Sequence, residues 1–186
     1  MNALLSLWLP ILLSAVVVFV ISSLIHMVVK WHASDYTSLA NEDAVRAAIR
    51  AGNPQPGRYV MPHCKDMKDM ASEAMLKKYQ EGPVGHITIM ANGVPNMGKY
   101  LGIWFLWSLA IAVVSGFLAA RVYGVDHTPV GGAAKLVGAV TFIAHGFGTV
   151  TESIWGGRPW SHTVKYLLDA ALYGLGTWAV FLYLWP

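Results

Sequence analysis

The chain has 186 residues, of which 55% are hydrophobic and 12% charged, with a formal net charge of +3. That balance is too apolar for an ordinary soluble domain and too weakly basic for a nucleic-acid binder. The single cysteine, Cys64, excludes an internal disulfide and any CxxC redox or metal site.

The apolar residues are gathered into long blocks, a pattern that predicts an all-α transmembrane protein built as a four-helix bundle. The first span is predicted from Leu4 to Val29, with Pro10 near its start and Trp8 and Trp31 bracketing it. Lys30 and His32 mark its exit. Met1-Asn2-Ala3 lacks a basic n-region, and the apolar run is too long for an h-region, so no cleavable leader is expected.

Residues 32–99 form the one sizeable polar region and predict a small α/β cap, flanked by residues 1–31 (helix 1) and 100–186 (helices 2 to 4). Asn41-Glu42-Asp43 is a helix start, because asparagine caps free amides and the acids complement the dipole; Gly52 and Pro54 end that helix. A short strand over Arg58–Met61, a helix over Ser72–Gln80 and a strand over Val84–Met90 follow. About 65 residues bury little surface, so the cap is expected to lean on the bundle or a partner.

The second span, Leu101–Ala120, carries no charge, and Ser108, Ala112, Gly116 and Ala120 recur every four residues. Small side chains let helices approach closely in lipid, so this stripe predicts a helix-packing face. A connection over Arg121–Ala134 leads to the third span, Lys135–Ile154, in which Gly146 and Gly148 suit close packing or a kink. After a tight loop, Gly156–His162, the fourth span runs from Thr163 to Trp185.

The third span holds Thr141, His145, Thr149 and Glu152 along one helix face. Ionisable groups at membrane depth point to function by default. If spans three and four form a hairpin, equal depths pair Thr149 with Asp169, His145 with Tyr173, Thr141 with Thr177, and Glu152 with Lys165 or Tyr166. Two readings stay open. The groups satisfy one another as interhelical contacts, or His145, Asp169 and Glu152 form a proton or cation path. A bis-histidine haem is disfavoured, because His26 lies near the end of its span and far from the depth of His145.

Soft ligands crowd the stretch Met61–Met70. His63, Cys64, Met67 and Met70 are weak candidates for a metal, but their spacing matches no compact motif and Lys65 and Lys68 oppose a cation. Docking of a methionine-rich loop is the plainer reading, and no metal or other cofactor is expected. No phosphate loop, HExxH or GxSxG occurs.

Counting charges near the spans orients the chain. Residues 30–99 hold nine Lys and Arg, Arg158–Lys165 two, and the opposite side only Arg121 and Lys135. The positive-inside rule then places residues 32–99 in the cytoplasm and both termini outside.

Several segments together carry a likeness: Lys30-Trp31-His32-Ala33-Ser34-Asp35-Tyr36, Asn41-Glu42-Asp43-Ala44-Val45-Arg46, Pro62-His63-Cys64, Met67-Lys68-Asp69-Met70, Glu81-Gly82-Pro83-Val84-Gly85 and Pro95-Asn96-Met97-Gly98. On these the chain resembles a family of uncharacterised bacterial four-span membrane proteins. The resemblance implies an inner-membrane location and supplies no catalytic residue.

The leading functional expectation is a non-catalytic accessory or assembly partner of a larger membrane complex. Its contacts would be the lipid bilayer and a membrane-protein partner or a second copy. The alternative is a small transporter or proton/cation-handling protein using the intramembrane His/Glu/Asp face. An interfacial membrane enzyme is the third.

Overall fold

A computed structural model describes residues 2–125 and 130–186. A short helix α1 (Asn2–Ser6) leads into α2 (Trp8–Leu24), which continues as a π-helical turn over Ile25–Val29. After a 3-10 turn at Trp31–Asp35 come α3 (Glu42–Ala51), β1 (Gly57–Met61), α4 (Glu73–Glu81) and β2 (Gly85–Ile89). The chain then returns to long helices: α5 (Met97–Tyr123), α6 (Val130–Gly146), α7 (Gly148–Trp155) and α8 (Trp160–Leu184).

Four helical stretches are long and apolar enough to cross a membrane: Trp8–Val29, Met97–Tyr123, Val130–Trp155 and Trp160–Leu184. The shortest has 22 residues. At about 1.5 Å per residue it exceeds a hydrocarbon core of about 30 Å. Outward-facing Leu106, Val114 and Leu175 are each more than half exposed, where a helix in water would carry charge.

Residues 1–36, 96–153 and 158–186 form one compact unit, and residues 37–95 with 154–157 form another. Residues 32–36, counted with the cap by their polarity, therefore belong to the helical unit. In that unit α2 packs on α5 and α8, and α6 packs on the same two, so the four helices close a ring. Leu7, Ile11, Ala119, Val137 and Phe181 fill a tight core at the end where α2 begins and α8 finishes.

Glycines set the closest approaches. A Cβ on Gly138 would lie 2.9 Å from the Gly174 oxygen, and one on Gly174 would lie 2.7 Å from the Gly138 oxygen. The backbones of α6 and α8 thus touch directly, a contact the sequence did not single out. On the expected small-residue stripe, Ser108, Ala112 and Gly116 are buried and Ala120 is half-buried. At Gly116 a Cβ would meet Phe181 at 3.3 Å and Ile11 at 3.4 Å, so the stripe packs inside this unit.

The third span departs from the predicted single helix over Lys135–Ile154. It begins at Val130 and breaks at Phe147, between the two glycines. The helix is interrupted there, and close packing holds at Gly146, where a Cβ would press on Ala170 at 3.0 Å, but not at Gly148, where nothing lies within 4 Å. The expected connection over 121–134 is shorter, since α5 runs to Tyr123 and α6 starts at Val130; residues 126–129, like Met1, lie outside the described residues.

In the second unit β1 and β2 pair antiparallel, Gly57 opposite Ile89 and Met61 opposite Gly85. Ser72 caps α4 by accepting the Met75 N–H at 3.3 Å. Asn41 sits at the N-cap of α3 but its side chain makes no capping bond, which corrects that expectation. Met75 is the one buried hydrophobic side chain this unit contributes. So small a core fits the limited burial expected of the segment.

Candidate functional site

The helical unit is open at the end where α2 exits and α8 begins. There a cavity of about 630 Å³ is bordered by all four long helical stretches. Small residues draw the helices together near Gly138 and Gly174; at the open end the rings of Phe19, Tyr100, Trp104, Trp107 and Tyr173 hold them apart and form the wall. Polar groups enter from Ser22 and His26 on the first helix, His145 and Thr149 on the third, and Asp169 on the fourth.

His145 is brought against Tyr173, ring centroids 5.1 Å apart, and against Trp104 at 5.4 Å. Its Nε2 and the Trp104 Nε1 are buried with no hydrogen-bond partner in the protein. Buried polar atoms are nearly always satisfied, so two orphans beside one cavity mark a place for a ligand group or water. Thr141 is also buried without a partner for its hydroxyl. Thr177, expected opposite it, turns its hydroxyl to the Tyr173 oxygen at 2.8 Å.

Asp169 does not join Thr149. Its Oδ1 accepts from Trp31 Nε1 at 3.1 Å and its Oδ2 lies 2.8 Å from His32 Nε2. The Thr149 hydroxyl returns to the Gly146 oxygen at 2.6 Å, and it is the Thr149 carbonyl that α8 reaches, through Thr163. Glu152 lies half-buried in α7, where its backbone oxygen accepts from the Arg158 amide at 3.2 Å. Lys165, expected near it, donates to the Trp31 oxygen at 2.7 Å, to Ser34 Oγ at 2.8 Å and to the Asp35 carboxylate.

The centre of this polar cluster is therefore His32. Its Nδ1 lies 2.7 Å from Asp35 Oδ2 and its Nε2 faces Asp169, while the residue itself is only 5% exposed. The imidazole therefore bridges two carboxyl groups, to which a ring N–H donates. Lys165 sets a positive charge beside Asp35, and the His32 ring joins Asp35 to Asp169. Burial of such a set is tolerable only because each charge is paired and hydrogen-bonded. Burial alone would raise the Asp35 carboxyl, but the bonds from Lys165 and His32 and the charges of His162 and Lys165 outweigh it. The group is held below the ordinary carboxylate value.

Backbone irregularity creates this arrangement. On a regular helix, residues six apart point about 120° away from each other. The π-turn at Ile25–Val29 and the left-handed Lys30, φ 57°, reset that geometry, and the rings of His26 and His32 stack with centroids 5.0 Å apart. Left-handed backbone at a lysine is a local strain, of a kind found at functional sites. Tyr166 also packs on His32, ring centroids 4.8 Å apart, with the Arg158 guanidinium over the tyrosine ring.

Sequence reasoning had Asp169, Tyr173 and His145 but missed Trp31, His32 and Asp35. The available signal was Trp31-His32 with an acid three residues on, directly after an apolar span. At Met61–Met70, the Cys64 thiol donates to the Asp66 oxygen at 2.9 Å, and the Met67 side chain is exposed. Among the described residues, His63 and Cys64 gain no third His, Cys, Asp or Glu at ligating distance.

No protein-family model matches the chain, and no curated protein or solved structure matches it significantly.

Proposed function

We propose that this chain is a multi-pass protein of the bacterial inner membrane that binds an amphiphilic small molecule drawn from the lipid phase. The carrying observation is the cavity between the four helices, aromatic along its walls, with unpartnered ring nitrogens at Trp104 and His145. Its size lies in the range of ligand sites, and its polarity is graded from apolar rings to His26 and Asp169. A ligand with an apolar body and a hydrogen-bonding head fits that gradient.

This reading takes precedence over an accessory role. An assembly partner would offer its small-residue faces to another protein, whereas Gly116, Gly138 and Gly174 are already packed within this chain. The basic residues support an orientation with residues 37–95 in the cytoplasm and both termini outside. Cys64 should then resist a membrane-impermeant thiol reagent in intact cells; ready labelling from outside would reverse the orientation.

Binding is tested by native mass spectrometry of protein purified in mild detergent. A bound amphiphile at about one per chain is expected. Ala144 borders the cavity, so Ala144→Trp should fill it and remove most of that mass while leaving the unfolding temperature within a few degrees of wild type. Wild-type protein without a bound molecule, or full retention by a folded Ala144→Trp variant, contradicts the reading.

A further inference from the structure

At the polar end of the cavity three side chains converge that no sequence motif joins. His26 and His32 come from either side of the irregular turn ending α2, and Asp169 comes from α8. One ligand atom from each lies within 4.8 Å of the other two. We propose that His26, His32 and Asp169 bind a divalent first-row transition-metal ion, with coordination positions left open toward the cavity. Two imidazoles and one carboxylate are a donor set suited to zinc or to non-haem iron, and three protein ligands leave room for an exogenous one.

The argument rests on what holds the far side of each ligand. A ligating histidine ordinarily gives its other N–H to a carbonyl or carboxylate, which fixes the tautomer and the ring. His26 Nδ1 meets the Ser22 oxygen at 2.9 Å, which leaves Nε2 with its lone pair. His32 Nδ1 meets Asp35 at 2.7 Å, which leaves Nε2 for the metal. Asp169 Oδ1 accepts from Trp31 at 3.1 Å, which leaves Oδ2. All three therefore have an outer partner, and Asp35 is itself braced by Lys165 and His162.

Across the site, His32 Nε2 and Asp169 Oδ2 already converge at 2.8 Å with one proton between them. A metal takes the place of that proton: the N–H bond breaks, the proton leaves to solvent, and both lone pairs turn to the ion. Tetrahedral ligation brings ligand atoms to about 3.3 Å from one another. His26 is exposed at the cavity edge and supplies the larger inward movement, while His32 Nε2 and Asp169 Oδ2 part by about 0.5 Å. The Lys165 ammonium, which could repel an ion, is committed to Asp35, Ser34 and the Trp31 oxygen. The site stands on its own geometry and does not require an organic ligand in the cavity.

The test uses the full chain, purified in mild detergent with a histidine-free affinity tag, treated with chelator and dialysed against zinc. One zinc per chain is expected. His26→Gln should weaken binding at least 100-fold without unfolding the protein, because His26 is exposed and makes a single local hydrogen bond. Asp35→Asn, which changes the partner that holds His32 Nδ1, should weaken it about 10-fold to 100-fold. His63→Gln should bind as wild type does. Cobalt in place of zinc should give the visible absorption of a four- or five-coordinate ion, lost in His26→Gln. Absence of stoichiometric zinc, unchanged affinity in folded His26→Gln, or loss of binding in His63→Gln overturns the assignment. Bound lipid is measured separately on the same samples, so failure of this site and failure of the cavity reading are told apart.

Discussion

Asp169→Ala is expected to destabilise the helical unit by about 3–5 kcal/mol, the loss typical of one partner removed from a buried ion pair. Asp169 is only 2% exposed, and its two oxygens receive Trp31 and His32. Alanine leaves the buried His32 Nε2 and the Trp31 indole N–H without the carboxylate each of them meets. Both consequences fall on the joint between the end of α2 and the start of α8. Unfolding by heat or by sodium dodecyl sulfate in mixed micelles measures the loss. A shift below about 1 kcal/mol, the level of an exposed ion pair, would mean that Asp169 is solvated and not buried in this joint.

The second large effect belongs to the middle of the bundle, where α6 crosses α8. Gly174→Ala should lower stability by on the order of 2 kcal/mol, because overpacking forces backbone shifts where no flexible side chain can give way. The new Cβ would stand 2.7 Å from the Gly138 carbonyl oxygen and 3.2 Å from the Phe142 Cβ. Gly148→Ala is the control: nothing lies within 4 Å of its Cβ position, so its effect should stay within about 0.5 kcal/mol. Equal unfolding midpoints for the two variants would show that α6 and α8 do not touch at this crossing. In lipid this contact matters more than apolar burial, since helix sides gain little by leaving one apolar medium for another.

What could be read in the sequence was what is local. Apolar length located the four helical stretches, and Ser72 marked the start of α4. Depth matching correctly brought His145 beside Tyr173. It misled at Asp169 because depth does not choose between neighbours: α8 packs on both α6 and α2, and Asp169 turns to the residues that follow α2. Polarity assigned residues 32–36 to the cap, yet that turn folds back within the helical unit. Its cause is the π-turn and the left-handed Lys30, and neither has a composition that announces it. The Gly138–Gly174 contact escaped notice for a similar reason. One glycine from each of two helices makes no stripe in either.

The central claim is that the site is organised by a contact between His32 and Asp169, 137 residues apart in the chain. A double-mutant cycle measures it directly, using His32→Gln, Asp169→Asn and the pair, each read by reversible unfolding in the same detergent. Groups in one hydrogen-bonded network should couple by on the order of 2 kcal/mol, with the double variant less destabilised than the sum of the singles. Additivity to within about 0.5 kcal/mol would contradict the contact, and with it the metal site and the polar end assigned to the cavity.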